Sequence, residues 1–255
     1  AAEPYHEVIT KWQRDFQHMI GKNNAKYFDE NGWLYFTKEF FDLLYPSYGD
    51  TYPTYLGAIG MTYEQAGGGV AGLGILNSEG KNLTLVDRVK HNTVAGISTI
   101  EISSANSKKL NEEFNKFFIN NNNVNYIVSG DSDKIYQLSE FLGKHKIDFY
   151  SPKVQKLRAF SYNENKSVSY RTSPGDLVIP NNQAKGKLVD VLFERNTKLS
   201  DSITYDITAW SLPFVYGLNG YSTKNKVNIS EYLESKIGNS LDKNAIAYAG
   251  VWNHM

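Results

Sequence analysis

The chain has 255 residues, of which 41% are hydrophobic and 14% aromatic, so we expect one large core or, more plausibly, two domains. Its 27 basic side chains balance 27 acidic ones, and with no net charge to attract a polyanion, a nucleic-acid partner is not expected. The absence of cysteine excludes disulfides, thiolate metal sites and a cysteine nucleophile. No run approaches the roughly 20 apolar residues that cross a bilayer, so no transmembrane segment is expected.

The first 120 residues alternate helical patterns with loops. Apolar spacing predicts a helix over residues 4–20 that stops near Gly21. Residues 56–64 are predicted to form an apolar strand that ends in Thr-Tyr-Glu-Gln, before a glycine-rich loop. Thr84 with Asp87 predicts the start of a second long helix, which continues toward residue 118.

A run of asparagines at 120–123 marks the predicted domain boundary. Beyond it, a strand at 124–128, a helix capped by Asp131 or Ser132 and a strand at 147–150 form a βαβ unit, which favours a parallel sheet. The other elements predicted after the boundary are strands at 153–162, 167–172, 176–180, 188–193 and 248–252 and a helix at 203–210.

Several chemical motifs are weak or absent. Gly67, Gly69 and Gly72 satisfy G-x-G-x-x-G, but the residues that follow suit a strand, which favours a loop beside a site over dinucleotide binding. The five histidines include no pair at the three- or four-residue spacing of a helical zinc site, and no G-x-S-x-G nucleophile elbow occurs.

Glu64 is the most suggestive acid in the chain. It ends the predicted apolar strand, between Tyr63 and Gln65, and precedes the glycine loop. Two interpretations stay open from the residues alone: a functional carboxylate at a strand end, or a buried glutamate that is satisfied by hydrogen bonds.

Two stretches of the sequence resemble a known family: Tyr-Pro-Ser-Tyr-Gly-Asp at 45–50 and Gly-Ala-Ile-Gly-Met-Thr-Tyr-Glu-Gln at 57–65. They are similar to the later half of the catalytic domain in large bacterial zinc carboxypeptidase-like proteins of the metallocarboxypeptidase (funnelin) family. The region after 120 resembles the accessory domain of the same proteins, which has a class I glutamine amidotransferase fold without the cysteine. The resemblance implies a partial carboxypeptidase-like α/β domain at 1–120 and a second, flavodoxin- or amidotransferase-like α/β domain at 121–255, incomplete at its end.

The resemblance also implies a reaction. In the family, zinc activates water against a C-terminal peptide bond, and a strand-end glutamate moves the proton; Glu64 matches that glutamate as general base and acid. Tyr48 matches a loop tyrosine that binds the peptide substrate, with Tyr52 and Tyr55 as alternatives. The zinc ligands are expected upstream of Ala1, so this chain alone is expected to bind no catalytic zinc and to be inactive. A periplasmic or secreted location is implied.

Two other interpretations remain open. The chain could be a non-catalytic binding or scaffolding module that recognises a peptide or glycan through its 18 tyrosines, although core packing explains most tyrosines in proteins. The expected partners of a partial domain are the missing upstream half or a second copy of the chain, because such a domain exposes apolar surface.

Overall fold

The computed structural model describes residues 4–37, 42–64, 72–77, 80–119, 122–198 and 208–232. They form two compact units, the first from the described residues of 1–124 and 180–215, the second from those of 125–179 and 216–232. Among these residues, no helix has the length and apolar composition that a membrane span requires.

Both helices and a large sheet are present, so the chain has a mixed α/β fold. The helices are α1 (Lys11–Glu30), α2 (Thr51–Thr54), α3 (Leu85–Ala105), α4 (Ser107–Phe117), α5 (Ser132–Lys144), α6 (Gly186–Phe193) and α7 (Leu212–Val215). The strands are β1 (Gly74–Leu76), β2 (Asn82–Thr84), β3 (Asn125–Ser129), β4 (Tyr150–Pro152), β5 (Lys156–Ser161), β6 (Lys166–Arg171), β7 (Leu177–Pro180), β8 (Asn219–Thr223) and β9 (Ile229–Tyr232).

The first helix begins later and ends later than predicted. Thr10 and Gln13 form a reciprocal capping box, in which the Gln13 N–H donates to Thr10 Oγ1 and the Thr10 N–H donates to Gln13 Oε1. The helix therefore starts at Lys11. It continues through Gly21, because an isolated glycine only weakens a helix whose buried face, with Phe16 and Phe28, extends beyond it.

The second long helix starts where the sequence predicts. Thr84 Oγ1 accepts the Asp87 N–H, and the Asp87 carboxylate accepts the Thr84 N–H, so the predicted start of α3 is confirmed. The predicted continuation to 118 is wrong in one respect, since Asn106 separates α3 from α4. Asn106 leaves helical geometry, and its side chain donates to Ile102 O.

The second unit contains a seven-stranded sheet in the order β6-β5-β8-β3-β7-β4-β9. Every strand pair with a described register is antiparallel, so the predicted parallel sheet is wrong for those pairs. Strands β5 and β6 form a hairpin whose turn includes Asn165 at φ 51°, and this short connection requires antiparallel pairing. Strand β8 then lies between β5 and β3.

The core of the sheet is small and aliphatic. Buried residues from β3, β5 and β7 pack together with Val227, and the rings of Tyr170 and Tyr221 stack 4.1 Å apart against this cluster. The Tyr170 hydroxyl donates to the buried carboxylate of Asp176 at 2.8 Å. These two tyrosines therefore serve packing, the alternative that the sequence left open against a binding surface.

Other predicted elements differ from the structure or lie outside it. Residues 188–193 were predicted to be a strand but belong to α6, because a short buried apolar run fits either element. Strand β4 begins at Tyr150 instead of 147, after Lys146 at φ 52°. The predicted strand at 248–252 lies outside the described residues, as does most of the predicted helix at 203–210.

His91 of α3 gives the first unit a pH dependence. Its ring lies 4.2 Å from the Trp33 ring, and this burial lowers its pKa from the ordinary 6.5, although Asp87 opposes the shift. A lowered folded-state pKa means that the unfolded chain binds the proton more tightly. The contribution of neutral His91 to the free energy of unfolding is therefore fully present above pH 6.5. It is lost as the pH falls through the pKa of the folded state.

We expect the free energy of unfolding to fall more for the wild type than for His91→Gln between about pH 7.5 and pH 5.5. Urea denaturation at both pH values measures the two losses. Equal losses in the two proteins would remove His91 as the cause.

Candidate functional site

The segment that leads to Glu64 is not a strand. Residues 56–58 continue the turn after α2, and 59–64 have no regular secondary structure, so the predicted strand at 56–64 is wrong. Side-chain hydrogen bonds from neighbouring elements hold this backbone in place of a strand ladder. The apolar residues of the predicted strand, Leu56, Ala58, Ile59 and Met61, are only partly buried.

Helix α1 supplies two of these side chains. Gln13 Nε2 donates to Thr54 O at 2.9 Å and to Ala58 O at 2.8 Å, while its Oε1 belongs to the capping box. One turn later, the buried Gln17 donates from Nε2 to Gly60 O at 2.7 Å. The first turns of α1 thus fix three carbonyl groups in the segment before Glu64.

The Gly60 backbone lies very close to Asp50 and Thr54. Its N–H donates to Thr54 Oγ1 at 3.1 Å, and Thr54 Oγ1 in turn donates to Asp50 O at 2.7 Å. A Cβ at position 60 would overlap both the Asp50 carbonyl and Thr54 Oγ1. Only glycine lets the two backbones lie this close together.

Thr62 and Tyr63 fix the last step before Glu64. Thr62 Oγ1 donates to Asp50 Oδ2 at 2.7 Å, and the Tyr63 hydroxyl lies 2.6 Å from Thr99 Oγ1 on α3. Because the Thr99 hydroxyl already donates to Ala95 O, Tyr63 is the donor in this bond. Both residues that precede Glu64 are therefore held by their side chains.

Glu64 itself is exposed to solvent. Within the described ranges its carboxylate makes no hydrogen bond or ion pair, and the residues that follow, 65–71, lie outside them. The second interpretation of the sequence, a buried glutamate satisfied by hydrogen bonds, does not describe this side chain. The site thus presents an accessible carboxylate on a fixed backbone.

The three candidate tyrosines have different environments. Tyr48 is 40% exposed, with its ring 5.2 Å from Tyr45 in an edge-to-face arrangement. Partial burial raises the pKa of Tyr52. Tyr55 is fully buried and donates to Leu44 O at 2.6 Å, so it serves packing and cannot contact a substrate in this arrangement.

One hydrogen bond connects the segments that carry Tyr48 and Glu64. Asp50, two residues after Tyr48, accepts from Thr62, two residues before Glu64. The tyrosine loop and the Glu64 segment are therefore neighbours at this point.

The described residues do not fit a zinc centre. Among them, no group of three or more histidine, aspartate or glutamate side chains has positions that could hold a metal ion. His6 is buried and bonded to Glu194 at 2.9 Å, with the Val8 N–H donating to its other ring nitrogen. Both nitrogens of its imidazole therefore already have hydrogen-bond partners within the first unit.

The glycine loop gives no support to dinucleotide binding. Gly67 and Gly69 lie outside the described residues, and Gly72, at φ 137°, is followed by strand β1 and not by a helix. The Arg88 guanidinium donates to Gly72 O, which fastens this end of the loop to α3.

Sequence reasoning missed the residues that position Glu64: Gln13, Gln17, Asp50, Gly60 and Thr99. One of them had a local signal, because Thr10-x-x-Gln13 has capping-box spacing. Gln17 and Thr99 act across 43 and 36 residues, where residue type alone carries no information on the partner. Asp50 and Gly60 act across 12 and 6 residues, but within an irregular turn that has no sequence periodicity to predict the pairing.

Replacing Gly60 tests the close approach. We expect Gly60→Ala to lower the free energy of unfolding by about 2 kcal/mol or more, because the added methyl group forces the segment away from Asp50 and Thr54. Chemical denaturation measures the change.

Gly21→Ala is the matched control. This residue lies inside α1 with no atom within 4 Å of an added Cβ, so the change should stabilise by about 0.5–1 kcal/mol. A neutral Gly60→Ala would show that the segment tolerates displacement.

Comparisons with known protein families, with curated proteins and with solved structures gave no match for this chain.

Proposed function

We propose that this chain supplies the proton-transferring carboxylate of a zinc-dependent carboxypeptidase, which hydrolyses C-terminal peptide bonds. Glu64 is the general base and acid: it accepts the proton of the attacking water and then passes it to the leaving amine. The metal ligands of this proposal lie outside the described residues. No step below depends on their positions.

The observation that carries the proposal is an exposed Glu64, directly after two anchored residues, whose carboxylate has no hydrogen bond or ion pair with the part of the chain that the structure describes. A glutamate buried in a protein core is usually paired or hydrogen-bonded, and the exposed Glu64 does not have that structural role. A general base instead needs free lone pairs that can reach the substrate, on a backbone that holds them in place. Tyr63 and Thr62 give that backbone its anchors.

The resemblance of residues 57–65 to the family's glutamate segment points to the same residue. This resemblance rests on a sequence of nine residues. The structure gives a reason for the identity of some of them, because their contacts hold the segment in place. Gly60 is required by the contact with Asp50, and Thr62 by its hydrogen bond to the same residue. Tyr63 is required by its hydrogen bond to Thr99, whereas the Glu64 carboxylate has no hydrogen-bond partner within the described ranges.

Tyr48 is proposed to bind the peptide substrate. It is partly exposed on a turn that the Asp50–Thr62 hydrogen bond ties to the Glu64 segment. A phenol hydroxyl can donate to a peptide carbonyl, and its ring offers apolar contact area at low entropic cost. The architecture of a partial carboxypeptidase domain followed by a second α/β domain belongs to the same proposal.

The test is Glu64→Gln in the intact parent protein, which joins this chain to the segment that carries the zinc ligands. We expect kcat/KM for release of C-terminal residues to fall about 100- to 10,000-fold, about 3 kcal/mol or more, because glutamine cannot accept the proton.

Glu112→Gln is the matched control, an exposed glutamate of α4 with no ion pair or hydrogen bond among the described residues. It should leave turnover unchanged. Unaltered metal-dependent turnover in Glu64→Gln would remove Glu64 from the mechanism.

A further inference from the structure

Helix α3 has an exposed apolar side. Val86, Val89, Ile97 and Ile100 are 61%, 56%, 54% and 70% exposed, and Thr93 lies between them, also exposed. With 3.6 residues per turn these positions share one side of the helix. We refer to the five residues, Val86, Val89, Thr93, Ile97 and Ile100, as the α3 stripe.

The opposite side of α3 is already covered. Ala95 and Ser98 are buried there, and Asn23 of α1 donates to Ser98 O at 3.0 Å. An amphipathic surface helix usually has one apolar side that faces its core and a polar side that faces water. The α3 stripe is therefore a second apolar surface, and the packing of α3 on α1 does not explain it.

The spacing of the stripe is symmetric about its centre. Val86 and Ile100 lie seven residues before and after Thr93, and Val89 and Ile97 lie four residues before and after it. In an antiparallel pair of α3 helices with Thr93 on the two-fold axis, each Val86 meets Ile100 of the second copy, and each Val89 meets Ile97. A two-fold interface requires this kind of self-complementarity.

The centre of the stripe carries no polar group that needs a partner. Thr93 Oγ1 already donates to Val89 O of its own helix at 2.8 Å, so its hydroxyl can be buried without losing a hydrogen bond. The five stripe residues are uncharged, the exposed Lys90 lies beside them, and the chain has no net charge to repel a second copy. Beside the stripe, Gly96 leaves open space where another helix can approach closely.

We propose that two copies of this chain associate through their α3 stripes, antiparallel about an axis at Thr93. Val86 to Ile100 spans about 21 Å of helix, a short contact beside the roughly 1,200–2,000 Å² that stable interfaces bury. The dimer is therefore weak, with a dissociation constant on the order of 10 µM.

Single-cysteine variants of the 255-residue chain test the register, because the natural sequence has no cysteine to interfere. Thr93→Cys places two thiols across the axis, within the roughly 7 Å between Cα atoms that a disulfide requires. Mild oxidation should convert most of this variant to a covalent dimer. Val86→Cys alone should form little, whereas a mixture of Val86→Cys and Ile100→Cys should form the mixed dimer.

Glu112→Cys, exposed on α4, is the control for random collision and should cross-link only slowly. Light scattering across the micromolar range should show a monomer–dimer equilibrium that Ile97→Asp shifts toward monomer by at least about tenfold in dissociation constant. Circular dichroism of Ile97→Asp checks that the exposed substitution leaves the fold intact.

A monomer at all concentrations, with Thr93→Cys cross-linking no faster than Glu112→Cys, would overturn the proposal and leave the stripe to a different polypeptide. A dimer in which Thr93→Cys fails to cross-link would also overturn it, because the axis would lie elsewhere. None of these measurements depends on Glu64, so the proposed catalytic role and this interface can fail separately.

Discussion

The first unit depends on the contact between the Gly60 backbone and the turn that begins at Asp50. This contact lets Thr54 Oγ1 accept the Gly60 N–H and puts Gly60 O within reach of Gln17. It also sets the direction in which the chain leaves toward Glu64. Without a strand ladder, the whole segment relies on these few side-chain hydrogen bonds, each of which is worth only about 1 kcal/mol.

Helix α3 connects the candidate site to the rest of the unit. Thr99 Oγ1 accepts a hydrogen bond from the Tyr63 hydroxyl. Ser98 O, in the neighbouring residue, accepts one from the Asn23 side chain of α1. The carboxylate of Glu101, one turn from Ile97, accepts from both Asn23 and Tyr27, which lowers its pKa. The same helix therefore orients the residue before Glu64 and fixes α1, which holds Gly60 from the other side.

Local signals predicted part of this structure well. The cap at Thr84 was found because a capping side chain bonds to the backbone two or three residues away. For α5 the sequence offered Asp131 or Ser132, and the cap is Asp131. Strand β3 was found because its apolar run is bounded by polar residues. The prediction of a strand at 188–193 was wrong because buried helices and buried strands share the same apolar composition. The prediction of a parallel sheet was wrong for the described pairs because β8, which comes from a distant part of the chain, lies between β5 and β3. For Glu64 the sequence indicated the residue and left its burial open, since exposure depends on the bonds of Gly60, Thr62 and Tyr63.

Strand β6 lies at one edge of the large sheet, and its composition has a consequence for how this protein can associate. Lys166 and Arg171 stand at its two ends, and Arg171 is paired in register with Lys156 of β5. An approaching strand would have to bring its own backbone beside the positive charges of Arg171 and Lys156 at one end, while Lys166 at the other end forms an ion pair with Glu164 at 2.9 Å. Charged side chains on an edge strand discourage growth of the sheet from one molecule into the next, and β6 has this feature.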